Sequence, residues 1–154
     1  MWLLIISFKK LFQNDPSNLI LINPQCNYLD PSSIARSKHA RNILKKAKIV
    51  KKFSYLNKFD YIIGTTAIQG SDYNIPRVAL SPEQLADKIK DLKNDVVIVF
   101  GREGNGLTNE EIKLCDIMVS IPSSKEQPTL NISHSVGIIL YEIFKIKNKE
   151  KCLK

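Results

Sequence analysis

The chain is expected to fold as an α/β domain, a parallel sheet with helices on both faces. Three observations carry that expectation. Four short apolar runs, rich in β-branched residues, each stop at glycine or at a proline turn, which is how strands buried on both faces read. Between them lie segments with helix-start chemistry or helical apolar spacing. The length of 154 residues suits one core, and 6 glycines with 7 prolines do not describe a fibrous or disordered chain. Residues 1–154 are therefore read as one domain, with an atypical stretch 1–17 and a basic tail 148–154.

The elements follow in order. Met1 to Ile6 is apolar, but no basic residue precedes it and no small-residue cleavage site follows, so it is not an export signal. It falls far short of the about 20 apolar residues that span a bilayer. It is expected to be a buried element. Asn18 to Ile22 is the first strand, stopped by Asn23-Pro24. Asp30-Pro31 then supplies an N-cap and a first-turn proline for a helix that turns Ile34, Ile43, Leu44 and Ala47 toward a core. A second strand ends at Gly64, and Ser81-Pro82-Glu83-Gln84 opens a helix to about Leu92. Asp95 to Phe100 is the third strand, and Thr108 to Glu111 is a capping box for a helix to about Cys115. Ile117 to Ile121 is the fourth strand. A last helix runs from about Asn131 to Lys147, with the tail from Lys145 expected to fray.

Charge is unevenly placed. Residues 1–60 hold 11 Lys and Arg against 3 Asp, whereas residues 61–154 hold 12 of each sign, so the whole net charge of +8 sits in the first part. Lys38, Arg41, Lys45, Lys48 and Lys52 recur at intervals of three and four, which on a helix places them on one stripe, with Lys52 beyond the helix end. Such a stripe is either a solvated face or a surface for a polyanion. Cys26, Cys115 and Cys152 form no C-x-x-C pair, which argues against a disulfide scaffold and for a reducing intracellular compartment. No spacing of His, Cys or acidic residues suggests a metal site, and His39 and His134 read as surface or structural residues.

In open α/β sheets ligands bind at the carboxyl ends of the strands. The most unusual segments fall there. Gly101 to Leu107 packs three glycines around an Arg-Glu pair, with G-x-x-G-x-G spacing that does not fit a dinucleotide fingerprint. Ile121 to Ser133 is a polar loop between prolines that leads into a helix at Asn131. Asn131 and Ser133 also read as plain capping residues.

Together, FGREGNGL (Phe100 to Leu107) and IPSSKEQPTLNISHSVGIILYE (Ile121 to Glu142) resemble motifs 2 and 3 of the SPOUT (SpoU–TrmD) RNA methyltransferases. The FGRE…GLTNEE form and the P-x-L-N helix start look most like the TrmJ branch, as do Asn18 to Pro24 and the turn from Gly64 to Ala67. The likeness covers about residues 18–147. It implies a C-terminal deep trefoil knot, a cytoplasmic homodimer, and S-adenosylmethionine as methyl donor to a ribose 2′-hydroxyl in the tRNA anticodon loop, at a position-32-like nucleotide. Carried over by motif, the cofactor lies against Thr65, Thr66, Ala67, Gly101, Ile121, Pro128, Thr129 and Leu130. Glu103 takes an orienting role, Asn131 a hydrogen-bonding role near the hydroxyl, and Ser133 supports it. Lys38, Arg41, Lys45, Lys48, Lys52 and Arg102 are then RNA-binding candidates. Neither a membrane nor a metal is implied.

The sequence departs from the family at motif 1, a strand, an N-x-G turn and a helix carrying an arginine. Alignment on Phe12 and the Asn18 strand puts Ser7 near the arginine position, and no N-x-G turn precedes it. Ile34-Ala35-Arg36 imitates the motif but follows the strand it should precede, so the role is not carried to Arg36. The chain is expected to be truncated or rewritten at its start, with Met1–Phe12 forming a helix over the exposed sheet. The branch's C-terminal RNA-binding extension is also expected to be lacking. Two functions stay open: a tRNA 2′-O-ribose methyltransferase, or a catalytically impaired homologue that binds RNA or S-adenosylmethionine without turnover.

Overall fold

A computed structural model describes residues 3–8, 18–67, 79–124, 126 and 129–152. Six strands form one sheet: β1 (Leu3–Phe8), β2 (Asn18–Ile22), β3 (Lys48–Val50), β4 (Tyr61–Thr66), β5 (Val96–Phe100) and β6 (Ile117–Ser120), in the order β3-β2-β1-β5-β4-β6. Side chains alternate between its two faces. Ile63, Ile98, Phe100 and Val119 meet Leu85, Ala86 and Ile89 of α3 (Pro82–Ile89) and Ile139 and Ile143 of α5 (Ile132–Cys152) on one face. Ile5, Ile20, Ile62, Val97 and Met118 meet Leu56 and Cys115 on the other, where Ile112 of α4 (Asn109–Lys113) also packs. Helices thus cover both faces.

The expected parallel arrangement holds for β2 with β3 and for β4 with β5 and β6. β1 is the exception and corrects the expected N-terminal helix. It is a strand in the middle of the sheet, antiparallel to β2 on one side and β5 on the other. Its sequence explains why: Leu3, Ile5 and Phe8 are buried on a run apolar toward both faces, as a central strand requires. Its direction follows from chain length. Residues 9–17 are too few for the crossover of about a dozen or more residues that a parallel neighbour needs.

Two further expectations are corrected. The basic segment is not one helix. α1 (Pro31–Ser37), capped by the Asp30 side chain at Ser32 N, stops at Lys38, whose φ of 38° is left-handed. A single 3-10 turn (Lys38–Ala40) and α2 (Arg41–Lys45) follow, and Lys48 lies in β3 with Lys52 beyond it. Ile49-Val50 is β-branched and finds a parallel partner in β2, so strand pairing wins over helix continuation. Ile43 consequently faces solvent at 60% exposure. At the other end α5 does not fray at Lys145 but continues to Cys152, a stretch free of glycine and proline with Lys145 paired to Glu142 one turn back. The capping boxes read at Ser81 and Thr108 are both formed.

Candidate active site

Three parallel strands deliver the expected loops to one edge. β4 lies between β5 and β6, so Thr65-Thr66-Ala67, Gly101 and Ile121 leave the sheet side by side. The register fixes their level: Gly64 pairs with Val99 on one side and Met118 on the other, and Thr66 pairs with Ser120. Gly101 N donates to Thr65 Oγ1 at 3.4 Å, tying two of the exits together. By strand alternation Gly101, Thr66 and Ser120 share one face. Ser120 is 4% exposed, and its Oγ has no hydrogen-bond partner among the described residues. A buried hydroxyl left unanswered costs about 1–3 kcal/mol, so a polar atom brought to this edge would gain by meeting it.

The loop after β5 closes on itself. Arg102 N donates to Gly106 O at 3.1 Å and Gly106 N to Arg102 O at 2.9 Å, while Gly104 and Gly106 adopt φ of 99° and 63°. A Cβ on Gly101 would stand 2.7 Å from the Gly106 backbone. Glycine there makes room for the returning arm of its own turn. Glu103, Gly104 and Asn105 form the exposed tip.

Arg102 braces this turn from inside. Its guanidinium donates two bonds of 2.8 Å to the Glu111 carboxylate and one of 3.4 Å to Gly106 O. Glu111 also accepts from Thr108 N at 2.9 Å, so one carboxylate serves both the α4 cap and the turn. Burial opposes ionisation of Glu111, but the bonds from Arg102 and Thr108 outweigh it and hold the carboxyl below the usual glutamate range. The same pair raises the Arg102 pKa. The side chain expected to face RNA is therefore engaged within the loop.

At the start of α5, Asn131 Oδ1 accepts from Ser133 N at 2.9 Å and Ser133 Oγ at 2.7 Å, while Asn131 O accepts from Ser135 N at 3.1 Å. The structure thus joins two expected catalytic residues in one helix cap. With Oδ1 occupied, Nδ2 is the remaining donor of the amide. Ile121 and Ile132, which bracket the preceding loop, both pack against the core cluster under α3 and α5. Thr129 and Leu130 are exposed, and Pro128 lies outside the described residues. His39 and His134 are exposed.

Ser7 is placed away from this edge. β1 runs in reverse, so Leu4 pairs with Phe100 near the edge, whereas Ser7 lies opposite Val97 and Asn18, inside the sheet. It is 2% exposed and donates to Asn18 O at 3.2 Å. Two residues that the sequence reading did not assign to the site now belong to its description. Ser120 had a signal, a hydroxyl inside an apolar strand. Glu111 was legible only as a cap, because its pairing with Arg102 spans a turn.

Strand ends converging on glycine turns define a ligand-binding α/β domain. The model of the SpoU rRNA Methylase family matches residues 14–141, and the chain belongs to that family. It is 48% identical over 114 residues to the tRNA (cytidine-2'-O-)-methyltransferase TrmJ of Methanocaldococcus jannaschii, a match covering 72% of this chain and 50% of that protein. The Sulfolobus acidocaldarius enzyme of the same name is 35% identical over 131 residues, covering 84% of this chain and 54% of its own. Among solved structures, a probable methylase family protein from Haemophilus influenzae superposes with a TM-score of 0.75 at 32% identity, covering 86% of this chain and 56% of its own. The chain spans about half the length of the curated relatives it matches.

Proposed function

We propose that this chain carries out S-adenosylmethionine-dependent 2′-O-methylation of a tRNA ribose, at an anticodon-loop nucleotide in a position-32-like context. The observation that carries the reading is the convergence of Thr65-Thr66-Ala67, Gly101 and Ile121 at one sheet edge. The residues suit the cofactor. Backbone groups at three strand ends can meet an adenine edge, Ile121 and Leu130 offer apolar contact, and the Ser120 hydroxyl has no hydrogen-bond partner among the described residues. Thr65, Thr66, Ala67, Gly101, Ile121, Pro128, Thr129 and Leu130 would hold the cofactor, whose sulfonium supplies an electrophilic methyl group.

A ribose hydroxyl is a poor nucleophile at neutral pH, so the protein must orient it and manage its proton. Glu103, on the exposed tip of a braced turn, orients the hydroxyl, and Asn131 donates to it through Nδ2 while Ser133 fixes the amide. Leu130, just before α5, and Ile138 and Tyr141, within its first half, are 39%, 38% and 65% exposed, apolar surface that suits a homodimer. The knot and a cytoplasmic setting belong to the same proposal, as does tRNA as partner. Among the described residues no helix is long and apolar enough to cross a membrane.

One observation favours the second reading, binding without turnover: Ser7 is buried inside the sheet and brings no cation to the edge. Transfer of radiolabelled methyl to unmodified tRNA separates the two. Label recovered in alkali-resistant dinucleotides supports 2′-O-methylation. Calorimetric binding of S-adenosylmethionine or of tRNA without transfer supports the second reading, and binding of neither overturns both.

A further inference from the structure

Residues 31–59 contain nine Lys and Arg and no Asp or Glu. None of the nine forms an ion pair among the described residues. The segment runs through α1 and α2 into β3, one of the two edge strands of the described sheet, and then into the 3-10 helix Phe53–Lys58. There two cations converge on one ring: Lys48 Nζ lies 5.0 Å and Lys58 Nζ 4.1 Å from the Tyr55 centroid, and Lys58 also donates to the Tyr55 hydroxyl. Lys51 and Lys52 extend the line, exposed, past the end of β3.

Lysine on an edge strand has an ordinary use, since it discourages pairing with another sheet. That use needs one or two charges. It does not account for a stretch of 29 residues without an acid, nor for two ammonium groups held at a single phenol. Like charges brought together repel unless an anion answers them. The hydrogen bonds from Lys48 and Lys58 lower the Tyr55 pKa, so this spot favours negative oxygen.

We infer that the β3 edge and the helix Phe53–Lys58 form a phosphate-backbone docking surface for RNA, centred on Lys48, Tyr55 and Lys58 and continued by Lys51 and Lys52. It rests on the proposed tRNA substrate and adds where the body of that RNA lies. Val50 sits level with Ile22 and, across β1, close to the level of Phe100. Lys51 and Lys52 therefore leave the sheet at the same edge as Gly101, three strand spacings or about 14 Å away. A nucleotide at the Gly101 turn and a backbone on the β3 edge can belong to one molecule. The surface reads charge and shape, whereas the site chooses the nucleotide.

The test measures binding of a labelled, unmodified tRNA transcript to the whole chain over a series of salt concentrations. Lys48→Glu with Lys58→Glu is expected to weaken binding at least about ten-fold and to reduce the slope of log affinity against log salt by about 1.4–1.8, as two lost phosphate contacts require. Lys48→Gln with Lys58→Gln guards against misfolding, and binding of S-adenosylmethionine should be unchanged in both. Lys88→Glu with Lys93→Glu removes equal charge outside the segment and should alter tRNA affinity less than about two-fold. An unchanged slope in the Lys48/Lys58 variants, an equal loss in the Lys88/Lys93 variant, or equally tight binding to phosphatidylserine vesicles would overturn the inference. Its failure is distinct from failure of the methyltransferase reading: tRNA bound through these lysines without methyl transfer leaves the surface standing, and transfer with the tRNA KM unmoved by their loss removes it.

Discussion

The two halves of the sheet are built on different terms. On the β5-β4-β6 side, strands run parallel, α3 and α5 bury their apolar faces, and α3 and α4 begin with complete capping boxes. On the β3-β2 side, α1 and α2 contain no buried residue, and Ile43 and Ile49 are 60% and 42% exposed. Charge divides likewise, with the excess of cations confined to the second side. A pocket that positions reacting atoms needs stiff walls, because misplacement of about 1 Å costs a large factor in rate. A surface that gathers a polyanion needs density of charge more than fixed geometry. β1 lies between these halves and pairs with both.

The largest expected effect comes from breaking that seam. Ile5 is fully buried in β1, paired with Ile20 on one side and Val99 on the other. Ile5→Asp places an unpaired carboxylate in the core and should cost about 4 kcal/mol or more, a large share of the about 5–15 kcal/mol that ordinarily holds a domain folded. Chemical denaturation reads the loss. Were the N-terminal stretch a helix laid over the surface, the same substitution on its exposed side would cost less than about 1 kcal/mol, and the division into two halves joined by β1 would fail.

This seam also marks where the sequence stops being informative. β2, β4, β5 and β6 were legible because buried strands need continuous apolar runs, and the caps at Ser81 and Thr108 because their partners lie three residues away. The loops of the site were legible from their glycines and from the family motifs. The direction of β1 was not, since it depends on which strands it meets. Nor was the break at Lys38: spacing of three and four residues describes a helical stripe equally well whether or not the backbone later joins a strand. The partner chosen by Arg102 was hidden for a related reason, as the turn from Gly101 to Gly106 must close before Glu111 comes within reach.

That pair sharpens the claim that the β5-β4-β6 half is stiff. Glu111→Gln keeps the shape but removes the charge, leaving Arg102 half-buried without its counter-ion. It should cost about 2–3 kcal/mol at pH 7 and weaken cofactor binding through a loosened turn. The pH dependence has a definite sign. Glu111 is held below the usual glutamate range in the folded protein, so the pair's contribution is complete above the unfolded value of about 4.3 and is lost as pH falls through the lower, folded value. Parent and variant denaturation curves should therefore converge on acidification below about pH 4. A difference that persists unchanged there would mean that packing, not charge, supplies the brace.

The smallest effect is the most diagnostic of the pocket. Ser120 Oγ lies under the edge where β4 and β6 end, beside Thr66 and without a partner among the described residues. In the free protein Ser120→Ala removes an unanswered hydroxyl and should leave stability equal or raise it by up to about 1 kcal/mol. If a bound cofactor answers that hydroxyl, the same change should weaken S-adenosylmethionine binding by about three- to ten-fold, the worth of one hydrogen bond. Opposite signs in the two measurements are what a ligand-facing polar atom produces. A loss of stability with cofactor affinity intact would instead assign Ser120 to the scaffold, and the cofactor pocket would have to rest on the strand-end backbone alone.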